Sequence, residues 1–266
     1  MDTSRFTPGD PAVEITRIGP GAWHALDDGR IAGRGEATTR PDGRVFLSVD
    51  AWHRPVFDRL ARAMLAALPE PLHTVVDETD HELLTAWRQA GLRIRRREWH
   101  YLVPTDPGIT GPAAPPPGVT IVPAGSAEDD PLRELDRVVR GEVEATVGWP
   151  AMPAEVVPRP GGDTVGDPAK YAVAAEDGEY GEYVGLVRVV RVTRLPRIGL
   201  IAVRTARQRR GIGRALLTHA LGVLHHAGIE TASAEVNEAN AAATALFESI
   251  GARRADSTVE LVRHGR

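Results

Sequence analysis

Val203-Arg-Thr-Ala-Arg-Gln208-Arg-Arg-Gly211-Ile-Gly213-Arg-Ala-Leu-Leu217 decides how the chain is read. Residues 198–203 are an apolar run of strand type. The segment after them is polar and basic, and Leu216, Leu217, Ala220, Leu221 and Leu224 then recur at helical spacing, which predicts a helix through about His226. A strand that feeds a helix through a basic, glycine-containing turn is suited to bind an anion. The start of a helix leaves about four N–H groups unpaired and carries about half a unit of positive charge. Gly211 and Gly213 let a phosphate approach the main chain, and Gln208, Arg209, Arg210 and Arg214 add donors and charge at the same point.

Three phosphate motifs compete for this turn. A Walker loop needs four residues between its glycines and then Gly-Lys-Ser/Thr, which this stretch does not supply. A dinucleotide fingerprint needs a third glycine where Leu216 stands, and a tight turn where seven residues separate Val203 from Gly211. What remains is Gln/Arg-x-x-Gly-x-Gly/Ala. A second motif follows the predicted strand 231–236: Val236, Asn240, Ala243, Leu246-Phe247 and Gly251. With both motifs in this order, residues 170–251 closely, and 118–266 more loosely, resemble the GCN5-related N-acetyltransferase (GNAT) superfamily.

The resemblance implies acetyl-CoA as co-substrate, its pyrophosphate held by the 208–214 turn, the Ile212 amide included. It implies that main-chain groups of Ile201, Ala202 and Val203 pair with the pantetheine arm where a bulge splays the sheet. An N–H near Ala202 or Val203 then faces the thioester oxygen as an oxyanion donor. Asn240 either bonds the pantetheine arm or caps its own helix, since Asn is a preferred N-cap. Phe247 departs from the pattern: many members carry a Tyr there that protonates the leaving thiolate, and Phe has no proton to give. The implied reaction is direct transfer of acetyl to a primary amine of a small molecule in a ternary complex, without an acyl-enzyme. The rival is a non-catalytic acyl-CoA-binding or regulatory module.

An amine must lose its proton before attack. The strand 197–203 contains no acid, so Glu235 on the neighbouring strand is the first candidate base, with Glu142 and Glu144 behind it. The loop 149–167, with four prolines and three glycines, is long enough to shape an acceptor pocket. His219, His225 and His226 share a helix but have no acid or Cys at ligand spacing, so no metal site is expected. The basic run 93–97 reads as a solvated sheet edge.

The remaining sequence sets the frame. In 266 residues, 32 basic and 36 acidic side chains give a net charge of −4, split evenly at −2 for 1–117 and −2 for 118–266. Neither half has the basic excess of a nucleic-acid binder. The chain has no cysteine, which excludes disulfides and thiolate chemistry. No window approaches the apolar length of a membrane span and the start is polar, so a cytoplasmic protein is expected, monomeric or homodimeric.

Six prolines and three glycines in residues 104–118 mark a linker. The expected division is 1–103, linker 104–117, and 118–266. Strands are predicted at 44–49, 72–76, 171–175, 184–190, 198–203, 231–236 and 258–263, and helices at 52–68, 81–89 and 240–250. The halves repeat: Val76, Asp80, Trp87 and Gly91 match Val236, Asn240, Phe247 and Gly251 in spacing. The fold class is therefore α/β (α+β), two domains of one type; the resemblance implies that each is a mixed, mostly antiparallel central sheet flanked by helices. Phe57 and Arg59 stand where the first copy would need its glycines, and Pro55 removes a donor, so that copy is expected to bind no CoA and to shape the acceptor side.

Overall fold

The computed structural model describes residues 13–40, 42–112, 114–146, 164–178, 181–190 and 195–265. Its contacts divide the chain into two compact units, Met1–Arg95 with Val259–Arg266, and Arg96–Thr258. Each unit is a mixed, mostly antiparallel sheet flanked by helices.

In the first unit, β1 (Glu14–Gly19), β2 (Ala22–Asp27), β3 (Arg30–Thr39) and β4 (Val45–Ala51) form an antiparallel meander. Then come α1 (Arg54–Ala67), β5 (Leu72–Asp77) and α2 (His81–Gln89). The end of β12 (Arg253–Arg263) completes the order β1-β2-β3-β4-β5-β12. Helix α1 buries Val56, Phe57, Leu60, Ala61, Met64 and Leu65. Full burial of a side chain such as Leu60 contributes about 1.5–3 kcal/mol. The helix approaches β3 closely because that strand presents Gly33 and Gly35 to it. A Cβ at Gly33 would sit 2.9 Å from Val56 Cγ1, and one at Gly35 2.5 Å from Met64 Sδ.

The second unit contains most of β6 (Arg93–Pro104), then α3 (Pro107–Thr110), β7 (Val119–Val122), α4 (Asp129–Thr146), β8 (Tyr171–Glu176) and β9 (Tyr183–Val190). These are followed by β10 (Arg197–Val203), α5 (Ile212–His226), β11 (Thr231–Asn237), α6 (Ala241–Glu248) and the first part of β12. The sheet order is β12-β6-β11-β10-β9-β8-β7. One face packs against α5 and α6 through Leu216, Leu217, Leu221 and Phe247. The other packs against α4 through Leu132, Leu135 and Val139, which meet Tyr171, Val173 and Leu186.

Three expectations change. The units do not divide at the proline-rich segment as 1–103, 104–117 and 118–266; the boundaries fall within β6 and β12, because Val259 and Leu261 are core residues of the first unit. The segment also holds a helical turn, since Asp106 caps Gly108 N at 2.8 Å and Pro107 suits the first helical position. The run 93–97 is not an edge: β6 lies between β12 and β11, and its charges find acids, Arg95 meeting Glu260 at 2.8 Å and Arg97 meeting Glu238 at 2.8 Å.

The repeat extends to single hydrogen bonds. Asp80 caps α2 through Leu83 N (2.9 Å), and Asn240 caps α6 through Ala243 N (3.0 Å). Both helices end on a left-handed glycine, Gly91 (φ +97°) and Gly251 (φ +82°). In both units a parallel ladder stops after two pairs: Val45↔Leu72 and Phe46↔His73 in the first, Arg197↔Ser233 and Ile198↔Ala234 in the second.

Candidate functional site

The second unit's interrupted ladder makes the site. Beyond Ile198 a register shift at Gly199 turns β10 away from β11, while β9 follows β10 to Val203 and β6 follows β11 to Asn237. A gap therefore opens between the edges of two strands that are each held on their other side. It begins at Gly199, earlier in the strand than Ala202, so Leu200 joins Ile201, Ala202 and Val203 along its rim. A glycine inside an apolar strand run was the available signal.

At the far end of that rim lies the basic turn. A 3-10 turn at Thr205–Arg207 leads into Gln208, whose Nε2 donates to the Val203 carbonyl at 3.1 Å. Arg209 (φ +62°) and Gly211 (φ +86°) take the left-handed conformation that reverses the chain into α5. Ile212, 1% exposed, anchors the first turn in the core. Gly211 is the N-cap and no side chain caps the helix, so its leading N–H groups are left for a ligand. Gly213 faces open space apart from Val203 and Leu246 at ordinary contact distance. These features fit a diphosphate: free amides, no Cβ, and positive charge.

The basic side chains are not equivalent. Arg207 grips Glu176 at 2.5 and 3.0 Å, and its guanidinium holds that carboxyl below the usual range. Arg210 touches the same carboxylate at 3.4 Å. Arg209 is exposed and has no ion-pair partner among the described residues. Arg214 is turned onto carbonyls, Ser249 O at 3.4 Å and Thr110 O at 3.3 Å, so it offers the turn its amide rather than its charge.

Among the other predicted residues, Asn240 is engaged in capping α6. Phe247 is 3% exposed and stacks on Tyr101 with ring centroids 5.9 Å apart. Glu235 lies on β11 one residue beyond the end of the ladder and pairs with Arg197 at 3.1 Å. Glu142 is occupied as a clamp on the turn, accepting from Thr205 N (2.8 Å) and Oγ1 (2.9 Å). Glu144 sits near the end of α4. Of the loop 149–167, residues 149–163 lie outside the described residues. His226 Nδ1 bonds its own helix at Gly222 O, 2.7 Å. No group of three or more possible metal ligands occurs among the described residues.

Sequence reasoning missed a polar group on the α4 face of the same sheet. Tyr171, Arg188 and Leu200 are aligned across β8, β9 and β10. Asp136, 1% exposed, is paired with Arg140 at 2.6 Å and accepts from the Thr164 hydroxyl. Burial raises the Tyr171 hydroxyl above the usual phenol range, partly offset by the adjacent Arg188.

Comparison with known proteins agrees with this geometry. A family model described as acetyltransferase (GNAT) family matches residues 144–252. A [ribosomal protein bS18]-alanine N-acetyltransferase of Escherichia coli (strain K12) is 51% identical over 51 residues, 19% of this chain and 34% of the relative. The match thus spans about a third of that protein's length. Among solved structures, a GCN5-related N-acetyltransferase from Sphaerobacter thermophilus aligns over 94% of this chain and 82% of its own, with TM-score 0.66 and 19% identity. A tandem GNAT protein from the clavulanic acid biosynthesis pathway aligns over 92% of this chain and 83% of its own, with TM-score 0.64 and 16% identity. These two likenesses concern the fold.

Proposed function

We propose that the protein transfers acetyl from acetyl-CoA to a primary amine of a small molecule by direct attack in a ternary complex, a reading supported by the match of residues 144–252 to the acetyltransferase (GNAT) family model. The observation that carries this reading is the β10–β11 ladder that stops after two pairs beside an uncapped, glycine-started helix. Acetyl-CoA, when bound, supplies an activated acyl carbon. The amides of Gly211 to Arg214 and the charge of Arg209 and Arg210 hold its diphosphate, and the rim 200–203 pairs with its arm. A main-chain N–H of that rim faces the acyl oxygen, where negative charge develops. Glu235 accepts the proton lost by the amine, directly or through water, as the C–N bond forms and the C–S bond breaks. Phe247 has no proton to donate, so the thiol leaves on the strength of its own pKa of about 8.5 and protonation by water. The first unit has no comparable turn: β4 ends at Ala51 and α1 starts at Arg54, and Thr74 Oγ1 donates across its own strand gap to Leu47 O at 2.9 Å. It plays no part in holding the cofactor.

Buried Phe247 favours a second reading, an acyl-CoA-binding module without turnover. Calorimetry with acetyl-CoA and NADH, followed by thiol release over a panel of amines and an alanine-initiated peptide, separates the readings. Acetyl-CoA binding with amine-dependent thiol release is expected. Binding without release from any acceptor supports the module, and preference for NADH overturns both.

A further inference from the structure

Among the described residues Arg188 has no counter-ion, whereas the arginines around it do. Arg197 meets Glu235 at 3.1 Å, Arg140 meets Asp136 at 2.6 Å, Arg207 meets Glu176 at 2.5 Å, and Arg204 is paired with Glu182. Arg188 has no carboxylate within ion-pair distance among the described residues, and its Nε–H is buried with no hydrogen-bond partner. What stands beside it is the neutral hydroxyl of buried Tyr171. Asp136, which acts on Tyr171 from that side, is already committed to Arg140 and the Thr164 hydroxyl. Desolvating a guanidinium without an anion is costly, and such a group persists where an anion completes it.

Its position says where that anion lies. By register Arg188 is opposite Leu200, at the shift where β10 leaves β11. Its guanidinium lies across Gly199, where a Cβ would come within 3.2 Å of Nη2 and 3.3 Å of Nε. The strand is bare there, and the cation reaches the mouth of the gap on the α4 face. Glu235 and Arg197 border the same point from β11 and β10. An acceptor placed there has a carboxylate for its ammonium proton and, close by, a planar fork suited to a second group of opposite sign.

We infer that the acceptor is a small amine that also bears a carboxylate, such as a free amino acid, with Arg188 as the residue that binds that carboxylate. The inference rests on the acetyl-transfer reading above and narrows it. It disfavours a protein N-terminus, whose α-carboxyl is consumed in a peptide bond.

Matched acceptors test it: L-alanine against ethylamine, L-phenylalanine against 2-phenylethylamine, and L-lysine against 1,5-diaminopentane, each scored by thiol release. The carboxylated member of a pair is expected to have at least about tenfold higher kcat/KM, one good charge-assisted contact. Arg188→Met is expected to erase that preference through acceptor KM while leaving KM for acetyl-CoA unchanged, with Arg188→Lys recovering part of it. A readout without turnover uses N-acetyl-L-alanine, N-acetyl-L-phenylalanine and N-acetyl-L-lysine: at least one should raise the Tm of the wild type and not that of Arg188→Met. The inference is overturned if decarboxylated amines or an alanine-initiated peptide are the better acceptors, or if Arg188→Met keeps the preference. It is also overturned if acetyl-CoA binds but no carboxylated amine is acetylated and no N-acetyl amino acid shifts Tm; the cofactor site then stands. Failure of acetyl-CoA itself to bind removes both proposals.

Discussion

At Gly213 an added Cβ would meet only Val203 Cγ2 at 3.7 Å and Leu246 Cδ2 at 3.8 Å, so a side chain fits the folded protein there. Gly213→Asp should therefore melt within about 1 kcal/mol of the wild type, because the position is helical, where glycine is itself unfavourable, and an acid in a first helical turn is tolerated. It should lose acetyl-CoA affinity by about two orders of magnitude, since its charge and bulk occupy the phosphate position. Calorimetry beside a thermal melt checks both halves. Glu235→Gln should lower kcat by about 10²–10⁴ if the carboxylate is the base. Its half-exposed pair with Arg197 contributes at most about 1 kcal/mol to folding, so an unchanged melt with a collapsed rate is the expected combination. Glycines and a strand acid are visible in a sequence because their chemistry is local. Arg188 was not, because what distinguishes it is the lack of a counter-ion among the described residues, and counter-ions are assigned only by folding.

Helix α5 carries both the turn and a half-buried histidine. Burial holds the His219 imidazole below its ordinary range, and its Nε2 is buried without a partner among the described residues. A depressed folded-state value means the unfolded chain binds the proton first. Stability is then full above about pH 6.5 and falls as pH drops through the folded value, by at most about 1.4 kcal/mol per pH unit. His219→Met should flatten that acid limb in a plot of Tm against pH below about 6.5; an unchanged limb would assign it to other groups. Helices with an apolar stripe or a cap were legible: α5 ends at His226 and α2 runs His81–Gln89 as expected, the latter between Asp80 and Gly91. β1 to β3 were not read. Gly33 and Gly35, which bring α1 down onto β3, look like turn residues until the helix that needs them is known. β6 was misplaced at an edge because its charges are paired across strands, a relation invisible along one.

The two-part organisation was legible from the repeat, but the boundary was not, since prolines mark where a chain bends and not which core claims the residues beyond. Val259 and Leu261, both fully buried, belong to the first unit's core, and Glu260 there meets His73 at 2.9 Å and Arg95 at 2.8 Å. Removing buried strand residues costs about 2–5 kcal/mol each, comparable with the whole stability of a domain. A chain ending at Thr258 should therefore expose 13–95 to protease. It should keep its acetyl-CoA affinity, because neither core of the second unit extends past Ala252. Residues 1–103 alone should not give a cooperative melt.

That strand also bears on biosynthesis. Residues 13–95 cannot complete their sheet until residues 259–263 have left the ribosome, so while the stretch between them is made the half-built sheet keeps an open flank beside β5. Chaperone demand on nascent chains should accordingly fall when residues 259–263 emerge, and not when the proline-rich stretch does.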